Sequence, residues 1–149
     1  MALIELIEKD IIKIPLISKD KDGVLKELVE ILVKAGKIED FDTVLKDIRK
    51  REELGSTGLE DGIAVPHAKT EAVKSLTVAI GISPNGVDFD ALDGKPSHLF
   101  FLLLAPPTQA GPHIEALADI ARMTKSKTFV KLLINARSAE EVENLFKEE

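Results

Sequence analysis

Cysteine is absent from this chain of 149 residues. That excludes disulfides, zinc–thiolate and iron–sulfur centres, and a cysteine nucleophile. Tryptophan and tyrosine are absent too, and all six aromatic residues are phenylalanines set in apolar patterns. No stacking platform for nucleic-acid bases is available from such a set. Excess positive charge is also missing. Twenty Lys and Arg against twenty-six Asp and Glu leave a formal charge of −6, and the basic residues are scattered rather than clustered. Nucleic acid, which needs a basic stripe, is therefore not an expected partner. The acidic balance favours solubility and suits a basic protein partner. Long hydrophobic runs are missing as well: the longest, Leu99 to Pro107, is far too short for direct membrane insertion. The opening MALIELIEKD has no basic n-region and meets an acid at Glu5, so it does not read as a signal peptide and a cytoplasmic location is expected.

What is present suits one domain over 1–149, undivided by repeats, linkers or low-complexity tracts, and long enough to bury a core. Ile11 to Leu16 reads as a short edge strand, because Pro15 does not fit a central one. Val24, Leu28, Ile31, Leu32 and Ala35 repeat at helical spacing, with Asp20 or Asp22 as cap and Gly36 as stop. Phe41, Val44, Leu45 and Ile48 predict a second helix, capped by Asp40 and followed by Gly55, with Arg51 near its C-terminus. Beyond the turn GSTG the period changes to that of strands: Ile63–Val65, Leu76–Ile82, then a turn SPNG leading into Val87–Phe89. His98 to Leu104 is apolar without interruption, as in a strand buried on both faces. Helices follow from Pro112, expected at the first helical position, over Phe129–Ile134, and from a capping box at Ser138–Glu141. The fold class expected is an α/β layered sandwich, a mixed β-sheet with helices on both faces. Strand order is not legible at this stage.

The segment GLEDGIAVPHAKT places His67 directly after Pro66 at the end of a buried strand. A histidine there can be an ordinary, partly buried residue making one hydrogen bond. Against that, Pro66 fixes φ and ends the strand, Gly58 and Gly62 permit tight backbone approach, and Ala68 leaves room beside the ring. Sheet ends are where α/β folds place reactive groups. In a chain without cysteine, His67 is the best nucleophile or base: a neutral imidazole nitrogen can take a phosphoryl group if charge is balanced nearby. Two residues are candidate helpers. Arg51 can supply a cation or merely cap its helix. His113 can welcome an anion in the first turn of its helix or be an exposed helix-start residue. His98 is given no role.

Other chemistries fit less well. The histidines at 67, 98 and 113 lack zinc-ligand spacing, so no metal is expected. Ser56, His67 and Asp61 have the letters of a hydrolase triad but no G-x-S-x-G elbow. Neither a phosphate-binding P-loop nor G-x-G-x-x-G occurs, so direct use of a nucleotide is not expected. The residues alone reach a reactive histidine with an arginine and a second histidine as candidate helpers.

The run REELGSTGLEDGIAVPHAKT, Arg51 to Thr70, resembles the signature of the enzyme IIA domains of the bacterial phosphoenolpyruvate:sugar phosphotransferase system, fructose–mannitol class. The resemblance continues in order through GVDFDALDGKPSHLFFLLLAPP, PHIEALADIARM and SAEEVENLF, and less distinctively in DGVLKELVEILVKAGKI. It implies that His67 is phosphorylated on Nε2 by the phosphohistidine of the carrier HPr, with Nδ1 held by an internal acceptor. Phosphate then passes to a IIB domain, whose acceptor is a cysteine. Arg51 and His113 match the family's arginine and second histidine at the active centre. No cofactor is implied. Two proteins docking in turn call for a shallow site with an apolar rim. DFDALDG and HLFF look most like fructose-type domains. The nitrogen-regulatory relatives share GSTG and GIA-[IV]-PH and are the alternative, as phosphoproteins that control other proteins. The sugar, any fusion to a longer transporter and the oligomeric state are not legible in this chain.

Overall fold

A computed structural model of the chain describes residues 2–148. The elements run α1 (Ala2–Leu6), a 3-10 turn (Lys9–Ile11), β1 (Ile12–Lys13), α2 (Lys21–Lys34) and α3 (Phe41–Glu53). These are followed by β2 (Ile63–Ala64), β3 (His67–Lys69), β4 (Thr77–Val87) and β5 (Ser97–Ala105), then α4 (Ala110–Met123), α5 (Lys127–Ile134) and α6 (Ala139–Glu148).

Local chemistry explains the helix ends. The Asp20 carboxylate accepts from the Gly23 N–H at 2.7 Å, and that of Asp40 from the Thr43 N–H at 3.0 Å, so α2 and α3 each start on an aspartate cap. Gly36, at φ +75°, closes α2: its own N–H bonds the Val33 carbonyl and that of Lys37 the Leu32 carbonyl, a Schellman motif. Ser138 Oγ accepts from the Glu141 N–H at 3.1 Å. Glu141 reaches back to the Arg137 N–H rather than to Ser138, one residue earlier than a capping box requires. Pro112 is the third residue of α4, not the first. Either position lies in the opening turn, where a missing N–H leaves no intrahelical bond unmade.

The sheet is mixed, in the order β1-β4-β5-β2, with β3 also on β5. β4 and β5 are antiparallel, whereas β1 joins β4, and β2 and β3 join β5, in parallel. Helices cover both faces. Gly81 of β4 lies against Leu28 of α2, and an added Cβ there would come within 2.9 Å of it. On the other face Phe101 of β5 meets Phe146 of α6 edge-on at 6.1 Å between centroids. One hydrophobic core runs from Leu3 in α1 to Phe146, and Leu99 to Ala105 are wholly buried, as their unbroken apolar run predicts.

Two strand expectations change. Ile11–Leu16 shrinks to the edge strand Ile12–Lys13, with Pro15 beyond it. SPNG is not a turn that separates two strands: β4 runs through it to Val87. Ile82 lies opposite Leu99 and Val87 opposite Ser97, so β4 carries extra residues over this stretch. Pro84 has no N–H for a ladder, and Gly86 at φ +83° supplies the irregular backbone that brings the strand back into register.

Candidate functional site

β2 and β3 behave as one edge strand interrupted at Val65–Pro66. Ile63 faces Leu99 and His67 faces Leu103, an equal offset to β5 on either side of the proline. The Pro66 carbonyl accepts from the Leu103 N–H at 3.0 Å. Carbonyls alternate along an extended chain, so that of Val65 points away from β5, on the side where its own N–H donates to the Thr57 carbonyl. There it meets His67 Nδ1 at 2.8 Å. Nδ1–H donating to this carbonyl leaves Nε2 with its lone pair, the tautomer a nucleophile needs. Contrary to expectation, the strand does not end at Pro66 but resumes at His67, and parallel pairing sets this half-buried imidazole beside Leu103, towards the carboxyl end of β5.

His113, the fourth residue of α4, is brought edge-on to His67, with ring centroids 5.4 Å apart and planes at 76°. It is only 5% exposed, contrary to the reading of an exposed helix-start residue. The reason is its place on the α4 stripe of His113, Ala116 and Ile120, which packs inward. Its Nε2 is buried with no hydrogen-bond partner among the described residues. Burial first, then the neighbouring His67 and Lys69, lower the His113 pKa from the ordinary 6.5, which favours the neutral ring.

Arg51 stands in the last turn of α3 and is half-buried. Its Nη1 donates to the Gly55 carbonyl at 2.9 Å, so it ties its helix to the GSTG turn, close to the capping role open to it in the sequence. It also lines a cleft of about 460 Å³ together with His67 and His113. Among the described residues no carboxylate lies within ion-pair distance of Arg51. The mouth of the cleft is apolar: Leu54 and Ile114 stand 85% and 67% exposed beside it, with Lys50 and Lys69 further around. Three groups found by sequence pattern on separate elements thus share one opening. A cation, a neutral imidazole with an unpartnered nitrogen and a second imidazole with a free Nε2 together can accept and hold a compact anion.

Ser56, whose hydrolase role the sequence disfavoured, is committed to structure. Its Oγ donates to the Phe89 carbonyl at 2.8 Å and accepts from the Gly58 N–H. His98 lies apart from the cleft, its Nδ1 3.0 Å from the Ser83 carbonyl and its ring against Gly62 and Gly86. Sequence reading passed over Glu52, Thr57 and Lys21, which join beneath Arg51. The Glu52 side chain, 7% exposed, accepts from Lys21 Nζ at 2.8 Å and from both the N–H and the hydroxyl of Thr57. The available signal was Glu52 itself, an acid near the buried end of an otherwise amphipathic helix. No cluster of three or more His, Asp or Glu among the described residues suits a metal, and no helix there is long and apolar enough to cross a membrane.

The family model for "Phosphoenolpyruvate-dependent sugar phosphotransferase system, EIIA 2" matches residues 5–149. The chain belongs to this EIIA family. A fructose-specific EIIABC component of Bacillus subtilis is 39% identical over 142 residues, 95% of this chain but only 22% of that protein, so this EIIA chain spans a minor part of that relative's length. A fructose-specific EIIA component of Haloferax volcanii is 36% identical, covering 86% of this chain and 83% of its own. The crystal structure of the nitrogen regulatory protein IIA-Ntr from Neisseria meningitidis superposes with a TM-score of 0.89 at 32% identity, over 98% of this chain and 99% of that one. The EIIA fold is therefore shared by sugar-specific and regulatory relatives alike, and the family is one of phosphotransferases.

Proposed function

We propose that this chain, acting as one domain over 1–149, is a cytoplasmic phosphocarrier. His67 takes a phosphoryl group from the phosphohistidine of an HPr-like protein and gives it to a IIB domain, most simply in fructose uptake. The observation that carries this reading is the 2.8 Å contact between His67 Nδ1 and the Val65 carbonyl, which leaves Nε2 free inside a cleft shared with Arg51 and His113.

The step itself is an in-line displacement. The Nε2 lone pair forms the new N–P bond as the donor's N–P bond breaks, and the donor imidazole departs with that electron pair. His67 keeps its Nδ1 proton, and the positive charge that grows on its ring is met by the Val65 carbonyl. The charge on the phosphoryl oxygens is met by the Arg51 guanidinium and by His113, whose unpartnered Nε2 gains a partner. Transfer between two imidazoles activates no alkoxide, so positioning and fixed charge supply the catalysis. The exposed Leu54 and Ile114 form a rim on which two partners can dock weakly and in turn.

Likeness to IIA-Ntr favours a second reading, a phosphoprotein that controls other proteins through its phosphorylation state. Loss of phosphate to a IIB domain supports transport; a phosphorylation-sensitive complex with a channel or kinase supports regulation. The shared first step is tested by intact mass after incubation with phosphoenolpyruvate, enzyme I and HPr. One acid-labile phosphoryl group, absent from His67→Ala, is expected. A labelled His67→Ala protein refutes the assignment.

A further inference from the structure

Arg51 and His67 come from different elements, α3 and β3, yet transfer requires a fixed distance between guanidinium and imidazole. A 1 Å misplacement costs about 10²-fold in rate. A continuous set of bonds runs between the two, and the Glu52 carboxylate is its centre. Glu52 follows Arg51 directly in the last turn of α3, but its side chain turns inward. One oxygen accepts from Lys21 Nζ at 2.8 Å and from the Thr57 N–H at 3.2 Å; the other accepts from the Thr57 hydroxyl. Thr57 is itself buried, and its carbonyl accepts from the Val65 N–H at 3.0 Å. The carbonyl of that same Val65 holds His67 Nδ1. On the other side, Arg51 donates to the Gly55 carbonyl in the turn that Thr57 belongs to.

Lys21 is in turn fixed from below. Its ammonium sits 4.8 Å from the centre of the Phe89 ring and 3.6 Å from Asp90, and the Phe89 carbonyl accepts from Ser56 in the same turn. Lys21 and Thr57 occupy both oxygens of Glu52, and Arg51 has no carboxylate partner among the described residues.

We infer that Glu52, held by Lys21 and Thr57, is a positioning residue for phosphoryl transfer. It locks the GSTG turn so that Arg51 and the His67 ring keep their relative placement. The inference rests on the phosphocarrier reading above. Glu52 touches neither donor nor phosphoryl group, so its loss acts on the chemical step and on His67, not on docking.

The test is the rate of phosphoryl acceptance from phospho-HPr in wild type, Glu52→Ala, Glu52→Gln and Thr57→Val, with the His67 ring nitrogens followed by 15N NMR. Glu52→Ala should lower kcat by about 10²-fold with KM for phospho-HPr unchanged. Its His67 signals should move from the single Nδ1–H tautomer towards a mixture. Glu52→Gln keeps one acceptor oxygen for Lys21 and the Thr57 N–H, its NH2 can donate to the Thr57 hydroxyl, and it should recover most of the rate; Thr57→Val, which loses only the hydroxyl, should fall between. A Glu52→Ala protein that transfers at the wild-type rate overturns the inference while wild-type phosphorylation keeps the carrier reading. So does one whose rate falls only as its folded fraction falls, with wild-type His67 signals in the folded part and no recovery in Glu52→Gln. A wild-type protein that takes no phosphate overturns both.

Discussion

The two ends of β5 each hold a histidine, and they have much in common. His98 is the second residue of the strand, and His67 lies beside Leu103 near its finish. In both, Nδ1 meets a backbone carbonyl, that of Ser83 at 3.0 Å and that of Val65 at 2.8 Å. In both the ring is half-buried. The surroundings differ. His98 is boxed by glycines: a Cβ on Gly86 would lie 2.9 Å from its ring, and one on Gly62 would lie 3.1 Å away. His67 opens into a cleft with an arginine, a second imidazole and an apolar rim. A hydrogen bond that selects the tautomer is therefore common to a packing residue and to the proposed nucleophile. What separates them is the charge and the space beside the other nitrogen.

Exchanging the two sites experimentally should give the largest contrast. His67→Ala is expected to abolish phosphate acceptance with the fold intact, whereas His98→Gln should still be fully labelled, by intact mass, while melting at a lower temperature. Next in size, Arg51→Ala should slow transfer by about 10²–10³-fold if its guanidinium acts as preorganised charge. Stopped transfer assays would show this, and an unchanged rate would return Arg51 to capping the Gly55 carbonyl. At the other end of β5, Gly86→Ala combines φ +83° with a 2.8 Å approach to Pro96. It should destabilise by about 1–3 kcal/mol in urea unfolding, with transfer unaffected in the folded protein. Reduced transfer there would mean that the two ends are coupled.

The smallest effect concerns pH. Burial and its neighbours lower the His113 pKa below 6.5, so below that pH the unfolded chain binds a proton that the native state resists. Its contribution to stability is therefore complete above pH 6.5 and declines as pH falls through 6.5 towards the lowered native value. Melting temperatures from about pH 7.5 to 5.5 should fall more steeply in wild type than in His113→Asn. Equal slopes would show that His113 titrates normally.

Much of this was legible in the sequence, for reasons tied to particular residues. Asp20, Asp40, Ser138 and Gly36 act locally, so their caps and stops could be read directly, and the run from Leu99 to Leu104 has the pattern of a doubly covered strand. SPNG misled because turn chemistry also serves an irregular strand: Pro84 and Gly86 interrupt the ladder without reversing the chain. At the site, Pro66 before His67 marked the strand break, but the carbonyl that holds Nδ1 depends on which way Val65 points, set by pairing with β5. Burial of His113 follows from where α4 packs. The links of Glu52 to Lys21 and Thr57 join three separate segments, and no local pattern announces such a meeting.

Phosphate uptake on Nε2 of His67, freed by the Val65 carbonyl, is the step on which the proposed phosphocarrier function turns. It is tested most directly by long-range 1H–15N spectra of 15N-histidine protein before and after phosphorylation with phosphoenolpyruvate, enzyme I and HPr. The His67 Nε2 resonance is expected to move to a phosphorylated position while Nδ1 keeps its proton and its hydrogen-bonded shift, with His98 unchanged. Phosphate on Nδ1 of His67, or on the ring of His98, would contradict it.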